Sequence, residues 1–276
     1  MVDNVSTISS YSQSQKNFTK VLKSPTAEEY NAVASLYKSR KLNKKVIYLY
    51  QKALLFRKDK LGFFHQKTAK SYMNLADAFY TEGDNESAIT LYEKARMIRE
   101  EIFGVKHFET ANVYSALANI YFYKDDLESS LELYKKTLDI RLESLGENHL
   151  YTATSYHELA FFYASLEEYE TAEPLFIKAL EIRKKLYPTS HLDTASSYDN
   201  LAICYYHLFD YEKAYTNLLE SIKMRERILP KNSPLLASSK TNLASIKSKL
   251  SRKSQFNGEY LFKKLITIPR SILKVN

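Results

Sequence analysis

The chain has 276 residues with only five glycines, six prolines and no tryptophan, too few turn-formers for a strand-rich fold and a composition dominated by helix formers. Its single cysteine, Cys204, excludes an internal disulfide or a cysteine-based zinc site and fits a reducing, cytoplasmic location. The net charge of +8 is terminal: nine Lys/Arg and one acid lie between Ser238 and Asn276, residues 1–237 sum to zero, and a neutral body is a poor match for a nucleic-acid track.

Residues 1–25 are rich in Ser, Gln, Asn and Lys and predict a disordered polar lead-in without a secretory apolar run. No window reaches eighteen apolar residues, so no membrane-spanning helix is expected. From Glu28 onward the sequence repeats itself. "EEYNAVASLY" from Glu28 is followed by "HQKTAKSYMNLA" from His65, "HFETANVYSALA" from His107, "HLYTATSYHELA" from His149 and "HLDTASSYDNLA" from His191. A degraded copy, "SSKTNLASIK" from Ser238, closes the series, as terminal repeats often do. The four histidines stand 42 residues apart, as do Gly62, Gly104 and Gly146, and Arg57, Arg99, Arg141, Arg183 and Arg225.

Each period predicts two helices. In one unit Tyr114, Leu117, Ala118 and Tyr121 recur at spacings of three and four; "KDDLES" breaks the pattern, and Leu127, Leu131, Tyr134 and Leu138 resume it. Ala34, Ala76, Ala118, Ala160, Ala202 and Ala244 hold one place in successive units, where close helix contact admits nothing larger than a methyl group. Ala88, Ser130, Ala172 and Ala214 form a second small column on the other helix. The Thr after each histidine (Thr68, Thr110, Thr152, Thr194) is expected to start the first helix, and the arginine to close the second, where a cation suits the helix dipole.

These units resemble tetratricopeptide repeats, with tyrosine in place of the family's tryptophan. The 42-residue period is similar to the long repeats of kinesin light chains. The resemblance implies an all-α, right-handed superhelical solenoid of about six helix pairs over residues 26–250, with the first helix of each pair lining a concave binding surface. It implies a non-enzymatic scaffold or adaptor that binds a peptide segment of a partner protein. The alternative is a ligand-responsive regulatory subunit whose superhelix pitch changes on peptide or nucleotide binding. A motor-chain role is not implied, since no heptad coiled coil stands before the repeats.

The chemistry-bearing residues yield to the repeat. His191, Asp193 and Ser196 look like a hydrolytic triad, but aligned copies put Lys67, Glu109 or Tyr151 in place of the aspartate, and Lys70, Asn112 or Thr154 in place of the serine. Histidines one repeat apart sit about 10 Å from each other, too far to share a metal. No catalytic residue, metal or other cofactor is therefore expected. Helical phase assigns the peptide-binding groove to Lys70, Met73, Asp77 and Tyr80, then Asn112, Ser115, Asn119 and Phe122, then Thr154, His157 and Phe161, then Ser196, Asp199, Ile203 and Tyr206. The aromatic and apolar members favour a partner with apolar or aromatic anchors. Residues 251–276 form a basic amphipathic segment expected to cap the array; contact with membrane or nucleic acid through this tail is the lesser reading.

Overall fold

The computed structural model describes residues 26–187 and 189–266, and among these residues all regular structure is helical. The expectations for residues 1–25 and 267–276 lie outside the described residues. The chain divides into two compact units, one ending at Asp125 and the other beginning at Asp126. The first contains α1 (Ala27–Lys38), α2 (Asn43–Leu61), α3 (Gln66–Glu82), α4 (Asn85–Phe103) and α5 (Phe108–Tyr123). The second contains α6 (Leu127–Leu145), α7 (Leu150–Ser165), α8 (Tyr169–Leu186), α9 (Leu192–His207), α10 (Tyr211–Ile228) and α11 (Pro234–Ile266). Within each unit every helix packs on the helix before and after it. α11 runs unbroken to Ile266 and so includes the first part of the segment 251–276 expected to cap the array.

The repeat explains the packing. Ala34, Ala76 and Ala118 in the first unit and Ala160 in the second are fully buried, and Ala202 is 2% exposed. Tyr72, Leu75 and Ala76 on α3, and Tyr114, Leu117 and Ala118 on α5, form buried stripes on one helical face. Each large apolar side chain so buried contributes about 1.5–3 kcal/mol, while the alanines let the helix axes approach.

The helix ends are built differently from the sequence expectation. The histidine itself is the N-cap: Nδ1 of His65, His107, His149 and His191 accepts from the backbone N–H of Lys67, Glu109, Tyr151 and Asp193 at 3.0, 3.1, 3.1 and 3.2 Å. The threonine, three residues into the helix, turns back instead. Thr68, Thr110 and Thr152 donate to the carbonyls of Gly62, Gly104 and Gly146 at 2.9, 2.8 and 2.8 Å, tying each loop to the helix that follows it. Asp84, Asp126 and Asp210 cap α4, α6 and α10. The turn before each second helix needs one left-handed residue per period: Lys41, Gly83, Asp125, Glu167 and Phe209, with φ between 56° and 86°.

The arginine column is also corrected. Arg57, Arg99, Arg141, Arg183 and Arg225 are buried, 3–7% exposed, and point across to the next first helix rather than out at a helix end. Nη1 donates to the carbonyls of Lys67, Glu109, Tyr151 and Asp193 (3.0–3.3 Å) and to Ser71, Ser155, Ser197 and Ser239 Oγ (2.5–2.9 Å). The carboxylates that offset this buried charge come from unrepeated positions. Glu28 lies 3.2 Å from Arg57 and Glu158 lies 3.8 Å from Arg141, while Glu109 pairs with Arg99 and Asp199 with Arg225. Arg183 has no carboxylate within 4 Å among the described residues. The arginines are cross-links between helices and offer no exposed cationic track.

Candidate functional site

The first helix of each pair carries the side chains that helical phase assigns to the groove. In the first unit Lys70 and Asp77 are exposed, and Asp77 accepts a hydrogen bond from the Tyr92 hydroxyl. Tyr80 is half-buried with its ring 6.0 Å from Tyr123, and burial pushes its phenol above the usual range. Asn112, Asn119 and Phe122 are half-buried; Asn119 Nδ2 donates to the Ser115 carbonyl at 2.9 Å, so its amide is turned back onto α5. Met73 and Ser115 are buried, 9% and 6% exposed. The phase that assigns them to the groove turns inward at these two positions, because neighbouring helices cover them.

In the second unit Thr154 is half-buried and donates to the Leu150 carbonyl at 3.1 Å, and Phe161 is 44% exposed. His157 is packed edge-on to Phe176 at 5.7 Å, and its Nε2 lies 2.6 Å from Asn200 Nδ2. Burial, with Arg183 adding to it, pulls the imidazole down to about 4. The ring is therefore neutral near pH 7, with Nε2 against the Asn200 amide. It is a packed side chain and a poor candidate for proton transfer at neutral pH.

Three candidates, Asp199, Ile203 and Tyr206, meet in one cavity of about 320 Å³ between α9, α10 and α11. Ser196 is half-buried one turn before Asp199 on α9. The α9 wall presents Ala202, Ile203, which is 52% exposed, and Tyr206, held edge-on to Tyr211 at 5.5 Å, between the polar Asp199 and His207. The α11 wall is largely polar and presents Ser238, Asn242 and Ser245, with Leu235 and Ile246 closing the apolar side. At the base the Asp199 carboxylate pairs with the Arg225 guanidinium. Burial pushes the Asp199 carboxyl up, while Ser221 and Arg225 favour its charged form.

Sequence reasoning missed the α11 wall. Its signal was present, since Asn242 extends the column of Asn74 and Asn200, but α11 looked like a degraded closing copy. The volume is in the range of pockets that hold small ligands or a few side chains, with one apolar wall and a few convergent polar groups. Among the described residues no group of histidine, cysteine and acidic side chains could hold a metal ion. The cavity offers contact and hydrogen bonding, and Cys204, the one thiol, is buried and bonded to the Tyr169 carbonyl.

A tetratricopeptide-repeat family profile matches residues 67–143, 109–185 and 151–227, three overlapping registers of the same period. Among solved structures, BtubC (BKLC) from P. vanneervenii is 22% identical with a TM-score of 0.62, over 91% of this chain and 95% of that one. A Podosopora anserina protein, described as a kinesin light chain candidate with nearly identical TPR-like repeats, is 20% identical with a TM-score of 0.60. The match covers 75% of this chain and 97% of that one. Curated protein sequences give no match. These likenesses, below 25% identity, speak to the fold.

Proposed function

Since the chain belongs to the tetratricopeptide-repeat family, whose stacked helix pairs generally mediate protein–protein interaction, we propose that it is a non-enzymatic scaffold that binds a peptide segment of a partner protein. The reading places one anchoring contact in the cavity between α9 and α11. The observation that carries it is the pairing of an apolar wall, Ile203 and Tyr206, with a polar wall, Asn242, Ser238 and Ser245, across about 320 Å³ of open space. An extended peptide matches both walls: a bulky side chain against α9 and backbone amides toward α11. The remaining groove candidates, including Tyr80, Phe122 and Phe161, supply further apolar contacts along the first-helix face of their own units. Affinity for such a segment is expected to be of micromolar order, about −8 kcal/mol.

The non-enzymatic reading rests on the repeat itself. Of the side chains that resemble a catalytic triad, Ser196 stands in a column of Lys70, Asn112 and Thr154, and His191 in a column of four histidines whose Nδ1 atoms cap helices. A reducing, cytoplasmic setting is proposed from the one buried thiol, and no helix among the described residues is long and apolar enough to cross a membrane. The test is selection of peptides from a displayed random library on the wild type, followed by titration against Ile203→Asp and Tyr206→Ala. The reading expects enriched sequences with a shared apolar or aromatic position and a loss of at least about tenfold in affinity, roughly 1.4 kcal/mol. A library that yields no consensus, or ligands that bind both variants as tightly as the wild type, defeats it.

A further inference from the structure

We propose that one loop edge of the first unit docks on an anionic lipid bilayer. The helix hairpins put the α1–α2 and α3–α4 turns on one edge of this unit and the α2–α3 and α4–α5 connections on the other. The second edge is apolar where solvent meets it: Leu61, Phe64, Ile102 and Val105 are 40%, 58%, 39% and 52% exposed. Phe64 is braced rather than loose, with its ring edge-on to Phe63 at 5.0 Å, and Phe63 in turn edge-on to Tyr72 at 5.8 Å.

The fold does not require the apolar residues at the tips after the glycine, Phe63, Phe64 and Val105. The sister loop after α6 has the same backbone, with Gly146 at φ 80° beside Gly62 at 84° and Gly104 at 85°, and with the same threonine-to-glycine bond of 2.8 Å. It carries Glu147 and Asn148 where the first unit carries Phe63 and Phe64, or Val105 and Lys106. One loop frame thus holds either polar or apolar tips, and the apolar ones occur on two consecutive loops of one edge.

Charge selects the occupant. Lys58, Lys60 and Lys67 are exposed around Phe64, and Lys106 is exposed beside Val105. Lys60 reaches Asp59 at 3.2 Å and Lys67 reaches Glu28 at 3.7 Å, exposed pairs that a lipid phosphate can displace at little cost. On the Val105 side Glu109 is held by Arg99 and Glu100 by Arg96, while Glu101 is exposed. Apolar side chains at loop tips with ammonium groups behind them match the acyl–headgroup boundary of an anionic leaflet. The proposal is independent of the peptide groove.

The experiment is co-sedimentation of the full chain with phosphatidylcholine vesicles, with and without phosphatidylserine, beside a Phe64→Asn/Val105→Glu variant. Both substitutions install residues that the sister loop already carries, and circular dichroism with thermal unfolding checks that the variant is folded. The expected result is binding by the wild type that needs phosphatidylserine, weakens with salt, and falls at least about tenfold in the variant. Failure of the wild type to bind, as for an edge that serves a protein partner, overturns the proposal. So does undiminished binding by the folded variant, which assigns the affinity to the basic termini.

Discussion

His157 gives the structure a pH dependence whose size and sign follow from its surroundings. Burial against Phe176, with Arg183 nearby, pulls the imidazole from 6.5 to about 4. In the unfolded chain the ring regains its ordinary value, so the unfolded state binds a proton first as pH falls. The contribution is fully present above about pH 6.5 and is lost as pH falls through about 4. The difference of about 2.5 units, at 1.36 kcal/mol per unit, corresponds to roughly 3 kcal/mol. His157→Gln removes the titration while keeping an amide for Asn200. Urea unfolding of wild type and variant, followed by circular dichroism at about pH 7.5, 5.5 and 4, isolates the effect, because the carboxylates titrate alike in both. The variant should gain roughly 3 kcal/mol relative to the wild type between the first and last condition. A stability difference that stays constant across this range would falsify the buried, neutral assignment.

The arginine column makes a differential prediction. Arg225→Met strands the Asp199 carboxylate and should cost about 3–5 kcal/mol, whereas Arg183→Met strands no carboxylate and should cost about 1–2 kcal/mol; equal losses in chemical denaturation refute the charge-pair account. Phe209 holds φ at 59° with 71% of its surface exposed, in the place where Gly83 stands three repeats earlier. Phe209→Gly should therefore raise stability by about 0.5–1 kcal/mol, and a lowered thermal midpoint contradicts that reading. Ala160 is fully buried where α7 meets α8, so Ala160→Leu should destabilise by about 1–3 kcal/mol, against little change for the exposed Lys184→Leu.

Much of the fold was legible because the repeat aligned five or six independent samples of each position. The small residue at Ala76, Ala118 and Ala160 could be read as a helix contact without coordinates, since no larger side chain appears in that column. Polar roles were less legible. The helix start was assigned to the threonine when the histidine ring before it is the cap, because an imidazole nitrogen can accept the same backbone N–H as a Ser or Thr hydroxyl. The arginine was assigned to a helix end because periodicity gives its place along the helix and not the direction of a long side chain. Its carboxylate partners, Glu28, Glu109, Glu158 and Asp199, occupy four different columns and leave no repeating signal. For the groove, phase found Asp199, Ile203 and Tyr206, which share a cavity, but placed Met73 and Ser115 at a surface that neighbouring helices cover. A period of 3.6 residues fixes the face of a helix only to within the width of one side chain.

Site-directed photo-crosslinking tests the peptide-binding account most directly. A benzophenone side chain at position 203, inside the cavity, is compared with one at Leu55, which is 62% exposed on α2. With a selected peptide present near its dissociation constant, the account predicts a covalent adduct from position 203 and none from position 55, abolished by excess unlabelled peptide. Adducts from position 55 alone, or from neither position while the peptide is bound, would contradict the α9–α11 cavity as the place where the partner is held.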